Sequence, residues 1–202
     1  MRRAISILII LSAIRASPAF AEDPLFTVSS DYPERHGQND VRPPPAITRL
    51  VLGSLERYEV EALGTCLAEH RLPRRDYAAL LRAVRIRSSP GRSLWYVGPA
   101  AHPLCQALYG AQAFSYFLFE ERAGPARPRY RQVFSNRGDS FAIFRRLHHG
   151  LNDIEATSCT AAQCWSTRLA YDGREYRLAW CTETLFPSGR PVTRRARCPR
   201  SG

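Results

Sequence analysis

The first long apolar stretch of the chain lies at its amino terminus. It covers residues 5–11, follows the positively charged start Met1-Arg2-Arg3, and precedes Ala19-Phe20-Ala21, which places small residues where a signal peptidase cuts. The stretch is about half as long as the roughly 20 apolar residues that a membrane-spanning helix needs. Residues 1–21 are therefore predicted to be a cleaved signal peptide, with no transmembrane segment left after cleavage.

The next segment, residues 22–46, is polar and rich in proline. It ends in Val41-Arg42 followed by prolines at positions 43, 44 and 45. Consecutive prolines favour an extended polyproline conformation and exclude a helix at those positions. We expect this segment to be an extended tether or strap.

Helical periodicity follows the strap. From Thr48, a plausible N-cap, to about His70, apolar residues recur at helical spacing. A second helix is predicted to begin near Pro73, which is tolerated in a first turn. The apolar positions of the two helices are Leu55, Tyr58, Ala62, Leu63, Cys66 and Leu67 in the first, and Tyr77, Leu80, Leu81 and Val84 in the second.

Beyond residue 92 the pattern changes to short runs of aromatic and β-branched residues, separated by Gly, Pro, Asn and Asp. These runs include 94–97, 114–119, 131–134 and 141–144. Helices followed by a series of strands indicate the α+β class. The fold predicted for residues 47–202 is one disulfide-bonded domain, an N-terminal helical pair (47–88) packed on a C-terminal antiparallel β-meander (92–182), with a basic tail (183–202).

One hairpin can be placed in register from its turn. Asp172-Gly173 fits a two-residue type I′ turn, in which both central residues need positive φ. Pairing outward from that turn places Trp180 on the buried face and Cys164 opposite Cys181, at a Cα separation of about 4.5 Å that a disulfide can span. We therefore predict the disulfide Cys164–Cys181.

The cysteines form an even set in the mature part of the chain: Cys66, Cys105, Cys159, Cys164, Cys181 and Cys198. Such a set is typical of disulfides in an oxidising compartment, which indicates a periplasmic or secreted protein. Cys159–Cys164 is the alternative to the hairpin bond. If the hairpin bond forms, the simplest pairing of the remaining four is Cys66–Cys105 with Cys159–Cys198.

The net charge is strongly positive, +11, and falls to +8 when the three arginines of the signal peptide are removed. A positive surface attracts polyanions and acidic proteins. All 29 basic residues are arginine, however, which reflects coding bias as much as selected chemistry. The arginines are dispersed and accompany no recognisable nucleic-acid-binding module, so we expect no nucleic-acid partner.

A group of arginines falls on or near the polar face of the second predicted helix. It comprises Arg74, Arg75, Arg82 and Arg85. A solvated helix face explains them most simply, and an anion-binding surface is the functional alternative.

The strongest candidate for catalysis is His148 and His149 together with Asp153 and Glu155. If 153–157 is a strand, the two carboxylates share a face about 7 Å apart, as in an inverting glycosidase. Neighbouring histidines could act as bases or metal ligands. A polar turn followed by the solvent side of a half-buried strand explains the same four residues without catalysis.

No cofactor or metal is predicted. The spacing of Cys159 and Cys164 after the histidines matches no common zinc pattern. The sequence also lacks a Gly-rich phosphate loop, a Gly-x-Ser-x-Gly elbow and a His-Glu-x-x-His motif.

The carboxyl-terminal half resembles small exported proteobacterial proteins of unassigned activity. The resemblance covers about 75 residues and depends on a Gly-x-x-Asp-Ile/Leu turn at 150–154 and a Tyr-Asp-Gly-x-x-Tyr hairpin at 171–176. It implies a similar β-meander and a bacterial envelope setting. It carries no catalytic residues over to this chain.

These features favour an exported, non-enzymatic binding protein whose partner is a protein or another envelope macromolecule, for example as an inhibitor or immunity factor against a hydrolase. Aromatic-rich strands and arginine suited to carboxylate contacts support this hypothesis. Two alternatives stay open at this stage. One is a cell-wall hydrolase that uses His148, His149, Asp153 and Glu155, and the other is a structural subunit of an envelope assembly.

Overall fold

The computed structural model describes residues 22–30, 40–101, 103, 105–110, 113–187 and 190–198. The predicted signal peptide and residues 31–39 of the predicted strap lie outside the described residues. In the described part of the chain, no helix is long and apolar enough to cross a membrane.

The described chain is mostly antiparallel β-sheet with two α-helices. The helices are α1 (Pro45–Ser54) and α2 (Arg57–Glu69), and short 3-10 turns cover Tyr77–Leu80 and Gln106–Leu108. The strands are β1 (Phe26–Ser29), β2 (Leu81–Ser89), β3 (Arg92–Pro99), β4 (Phe114–Arg122), β5 (Arg129–Gly138), β6 (Ser140–His148), β7 (Leu151–Cys159), β8 (Gln163–Tyr171), β9 (Tyr176–Leu185) and β10 (Val192–Ala196).

The strands form two sheets. One sheet has four strands in the order β2-β3-β4-β5, and the other has six in the order β1-β6-β7-β8-β9-β10. Each sheet is a meander, because its strands are neighbours in sequence order, except that β1 is added at the edge next to β6. The helices and the two sheets give three layers.

The four-stranded sheet forms the middle layer, and it is buried on both faces. One face of β3 and β4 places Tyr96 and Tyr116 against Phe141 and Ile154 of the six-stranded sheet. The opposite face places Trp95, Val97, Phe117 and Phe119 against the helices, which contribute Ile47, Val51, Leu63 and Leu67. These strands therefore read as continuous apolar runs, as a sheet covered on both sides requires.

The second predicted helix is wrong. Residues 77–80 form a 3-10 turn, and the chain then continues as strand β2 rather than as a helix to residue 88. The sequence Val84-Arg85-Ile86-Arg87 alternates apolar and basic residues, a strand period that sequence reasoning passed over. The first predicted helix instead corresponds to both α-helices, with a break at Leu55 and Glu56.

The first helix also begins earlier than predicted. Its first residue is Pro45, and the predicted N-cap Thr48 lies inside α1, where its hydroxyl donates a 3.3 Å hydrogen bond to the carbonyl of Pro44. Proline suits a first helical turn because the amide that it lacks has no partner there. Within the predicted strap, Val41 pairs with Ala83 at the edge of β2 through two backbone hydrogen bonds.

The predicted register of the β8–β9 hairpin is wrong. Tyr171 pairs with Tyr176, so the loop contains four residues instead of two. Asp172 holds this loop, since its Oδ1 accepts 2.8 Å hydrogen bonds from the amides of Arg174 and Glu175. These amide bonds lower the pKa of Asp172 to about 2. A side-chain acceptor thus outweighs the Asp-Gly preference for a two-residue turn.

The shifted register changes the disulfides. Cys164 lies opposite Thr184, and Cys181 lies opposite Thr167, so the predicted Cys164–Cys181 bond is wrong. Cys164 bonds to Cys159 across the β7–β8 turn, which was the alternative. The suggested Cys159–Cys198 pair is wrong for the same reason, because Cys198 bonds to Cys181 and fastens β10 to β9.

Cys66 of α2 and Cys105 lie together as free, buried thiols. Burial, followed by a hydrogen bond to Cys105, raises the pKa of Cys66 to about 12. The predicted bond between these two cysteines is not formed in this structure.

Candidate binding groove

The outer face of the six-stranded sheet carries an open cavity of about 670 Å³, here called the outer groove. This volume falls in the range of roughly 300–1,000 Å³ that is usual for ligand sites. Its lining comes mainly from side chains that alternate away from the core along the strands. They include Thr27, Ser140, Phe144, Glu155, Thr157, Ser166, Arg168, Trp180, Thr182, Thr184 and Thr193.

A row of hydroxyl side chains crosses the groove at right angles to the strands. The register places Ser29 beside Ser140, Ser140 beside Thr157, Thr157 beside Ser166, and Ser166 beside Thr182. The row thus has one hydroxyl on each of five neighbouring strands. With strands about 4.8 Å apart, it extends over roughly 19 Å. Within it, the hydroxyls of Thr157 and Ser166 are 2.8 Å apart.

Arg168 lies at the centre of a second row of side chains, which runs across the same sheet face next to the hydroxyl row. Its guanidinium carbon lies 3.2 Å from the ring centroid of Phe144 and 5.2 Å from that of Trp180. Such stacking on aromatic faces suits the planar guanidinium. The packing leaves only 8% of the Arg168 side chain exposed.

The positive charge of Arg168 is paired with carboxylates inside the groove. Its guanidinium contacts the carboxylate of Glu155 at 3.4 Å and that of Glu22 at 3.5 Å. Burial raises the pKa of Glu155, and Arg168 opposes that effect. Glu22 also accepts a 3.1 Å hydrogen bond from the amide of Arg146, which fixes it at the groove. The described residues that line the groove therefore carry no excess positive charge, although the chain as a whole is strongly basic.

The four residues of the catalytic alternative separate into different environments. Nδ1 of His148 lies 2.5 Å from Oδ1 of Asp153, a buried carboxyl group. Glu155 instead pairs with Arg168 in the outer groove. The structure thus gives one histidine–carboxylate pair and assigns the second carboxylate to another ion pair.

His149 is a turn residue. It and Gly150 connect β6 to β7 with φ of 47° and 82°, the positive values that a type I′ turn needs at both central positions. A two-residue turn of the type predicted at Asp172-Gly173 therefore occurs at His149-Gly150 and not at the predicted position. The carbonyl of His149 accepts a hydrogen bond from Arg92.

The candidate arginines do not form one surface. Arg82 and Arg85 lie on opposite faces of β2, because residues three apart on a strand point to opposite sides. Arg82 is buried and contacts Asp40 at 3.7 Å, whereas Arg85 makes hydrogen bonds of 2.8 and 2.9 Å to both carboxylate oxygens of Glu121. Arg74 and Arg75 are exposed in the turn after α2.

The most buried charged cluster serves the fold. Glu120 of β4 is 1% exposed, and its carboxylate accepts hydrogen bonds of 2.8, 2.6 and 2.8 Å from Arg92, Arg122 and Arg131. Burial alone would raise the pKa of Glu120, but the three arginine bonds outweigh it and lower the pKa. Arg131 also bonds to the hydroxyl of Tyr171, so the cluster connects the two sheets.

Sequence reasoning missed Arg168, Trp180 and the hydroxyl row as site residues. Trp180 was assigned to the buried face, but a bulge at Ala179 brings it opposite Arg168 on the outer face. The available signal was the alternation of Thr182 and Thr184 along β9. Among the described residues, no three His, Cys, Asp or Glu side chains come together as a metal-binding group.

Comparison with protein-family models, with curated proteins and with solved structures finds no match for this chain.

Proposed function

We propose that this chain is an exported, non-enzymatic binding protein that holds an envelope macromolecule in the outer groove. The observation that supports this most directly is the groove itself, a preformed cavity of about 670 Å³ on a sheet face that no other layer of the described chain covers. The two disulfides suit an oxidising compartment. Export through residues 1–21 and the resemblance to small envelope proteins belong to the same proposal.

Inhibition of a hydrolase, or immunity against one, is the form of this proposal in which the bound macromolecule is a protein. A role as a structural subunit is the form in which the complex is permanent. Both use the same surface. They differ in whether the partner leaves the complex and whether the partner has an activity that this chain suppresses.

Site-directed photo-crosslinking in the native envelope tests the proposal. A photoreactive phenylalanine at Thr193, which lines the groove, is compared with the same group at Tyr58, which is 69% exposed on α2 at the other side of the molecule. We expect covalent attachment from position 193 and none from position 58. Attachment has to be followed by a saturable complex of the purified components. Equal attachment from both positions, or none from either, would refute binding through the groove.

The hydrolase alternative keeps one specific observation, the contact between His148 and Asp153. If this pair acts as a base, Asp153→Asn should abolish turnover of cell-wall fragments and leave groove crosslinking unchanged. A wild-type chain that releases no product from glycan or peptide fragments eliminates the alternative. Glu155 is a poor discriminator, since it also lines the groove.

A further inference from the structure

We infer that the ligand of the outer groove is an uncharged, linear glycan chain that lies across the strands along the hydroxyl row. This inference rests on the proposed function and names the class of macromolecule bound. Three features of the groove support it: the spacing of the hydroxyls, the internal pairing of its charges, and the aromatic side chain beside the row.

The hydroxyl row matches a polymer better than a compact ligand. Ser29, Ser140, Thr157, Ser166 and Thr182 repeat at the interstrand spacing of about 4.8 Å. Each hydroxyl provides one donor and two acceptor lone pairs, so hydroxyls that bond each other keep capacity for a ligand. A chain of sugar units presents the same mixture of donors and acceptors at regular intervals.

The charges of the groove favour a neutral ligand. Arg168 is held between Glu22 and Glu155, at 3.5 and 3.4 Å, and is stacked on Phe144. A polyanion would meet those two carboxylates and would have to displace them from Arg168. A neutral polyol can accept from the guanidinium edge and donate to the carboxylates without separating any charge pair.

Trp180 lines the groove beside the polar row, with the guanidinium carbon of Arg168 5.2 Å from its ring centroid. It lies opposite Arg168 in the register, and Thr182 follows it on the same face of β9. The flat, apolar faces of sugar rings pack on indole, which has a large apolar body and one polar N–H. A platform next to a hydroxyl row fits a ligand that has both apolar faces and hydroxyl edges.

Calorimetric titration of the full chain, exported and oxidised, with defined oligosaccharides tests this inference. The neutral probes are a tetramer of β-1,4-linked N-acetylglucosamine, cellohexaose and maltohexaose, and the charged probe is a hexamer of galacturonic acid. We expect saturable binding of at least one neutral probe and at least tenfold weaker binding of the uronate. Binding of the uronate as tight as that of every neutral probe would overturn the inference.

Matched tryptophan variants locate the binding. Trp180→Ala removes the platform, whereas Trp165→Ala changes the opposite face of the same hairpin. We expect at least a tenfold loss of affinity for the first and less than a twofold change for the second, with both variants showing cooperative unfolding. The pair Thr157→Val and Ser166→Ala removes two hydroxyls of the row with little change in shape and should lower affinity about fivefold or more.

The outcomes separate this inference from the proposed function. If no neutral oligosaccharide binds at millimolar concentration while position 193 still crosslinks to a protein, the binding function stands and the glycan is wrong. If an oligosaccharide binds and Trp180→Ala leaves its affinity unchanged, the groove is not its site. If neither a glycan nor a crosslinked partner is found, both proposals fail.

Discussion

At the scale of single residues, the sequence identifies polar groups well but not what each of them does. His148, His149, Asp153 and Glu155 are close together in sequence, yet one forms a turn, two pair with each other and one joins an arginine in the groove. Their different partners come from the strands on either side of β7, since His148 of β6 pairs with Asp153 and Arg168 of β8 pairs with Glu155. These partners are not visible in a residue list, because they belong to other strands.

Replacing His149 tests its role as a turn residue. His149→Asn should raise the free energy of unfolding by about 1 kcal/mol, because Asn tolerates positive φ and Asn-Gly is the favoured pair for a type I′ turn. Urea unfolding measures the change. His148→Asn is the control and should destabilise by about 1 kcal/mol, since the partner of the buried Asp153 is changed. A loss of stability on His149→Asn would contradict the assignment.

Replacing Glu120 tests the buried cluster. Glu120→Ala should lower the free energy of unfolding by about 3 kcal/mol, because Arg92 would lose its buried carboxylate partner. The exposed Glu61, which pairs with Arg57, is a matched control, and Glu61→Ala should cost less than about 1 kcal/mol. Similar unfolding midpoints for the two variants would show that Glu120 contributes little.

The same substitution has a predicted pH dependence. The folded-state pKa of Glu120 is lowered, so its stabilisation is present above its unfolded value of about 4.3 and is lost as pH falls through the folded value. The stability difference between the wild type and Glu120→Ala should therefore be constant near neutral pH and shrink below about pH 4.3. A difference that grows on acidification would contradict the lowered pKa.

At the scale of elements, runs rich in aromatic and β-branched residues were predicted to be strands, but the register in which strands pair was not predicted correctly. The aromatic runs of β3, β4 and β6 are all strands, as predicted. Strand β2 was missed because its apolar residues satisfy a helical period as well as an alternating one. Pairing of β2 with β3 and with Val41 favours the strand over the helix. Tertiary contacts of this kind override local propensity.

The disulfide between Cys181 and Cys198 should decide whether β10 stays attached. It closes a loop with a sequence separation of 17, and its removal should lower stability by about 3 kcal/mol in the chain-entropy model. Cys198→Ser should therefore increase hydrogen exchange over Val192–Ala196. Cys164→Ser, which opens a loop with a separation of 5, should cost about 2 kcal/mol and leave β10 protected. Unchanged exchange in the first variant would show that strand pairing alone holds β10.

The thiols of Cys66, which lies on α2, and Cys105 should react slowly in the folded protein. The thiolate is the reactive form, and a pKa of about 12 leaves very little of it at Cys66 at neutral pH. If the thiols remain free, alkylation at pH 8 should be slow in the native state and rapid in guanidinium. Peptide mapping without reduction shows whether the protein instead carries the predicted Cys66–Cys105 bond. Rapid native labelling would contradict the burial of these thiols.

At the scale of the whole molecule, the arrangement of layers determines which sheet face stays open in the part of the chain that the structure describes. The four-stranded sheet is covered by the helices on one face and by the six-stranded sheet on the other. Within the described residues, the outer face of the six-stranded sheet has no such cover and carries the groove. Composition could not predict this, because it depends on the bulge at Ala179 and on the order of the strands rather than on residue content.

Salt dependence separates the groove from the net charge of the chain. Screening weakens exposed charges, since the Debye length falls from roughly 10 Å at 0.1 M salt to about 3 Å at 1 M. Adsorption of the basic protein to a polyanion such as heparin should therefore fall at least tenfold when NaCl is raised from about 50 to 500 mM. Glycan affinity should change less than twofold over that range, because Arg168 is already paired with Glu22 and Glu155. Titrations at both concentrations measure this, and a steep salt dependence of oligosaccharide binding would place the ligand on the dispersed arginines and not in the groove.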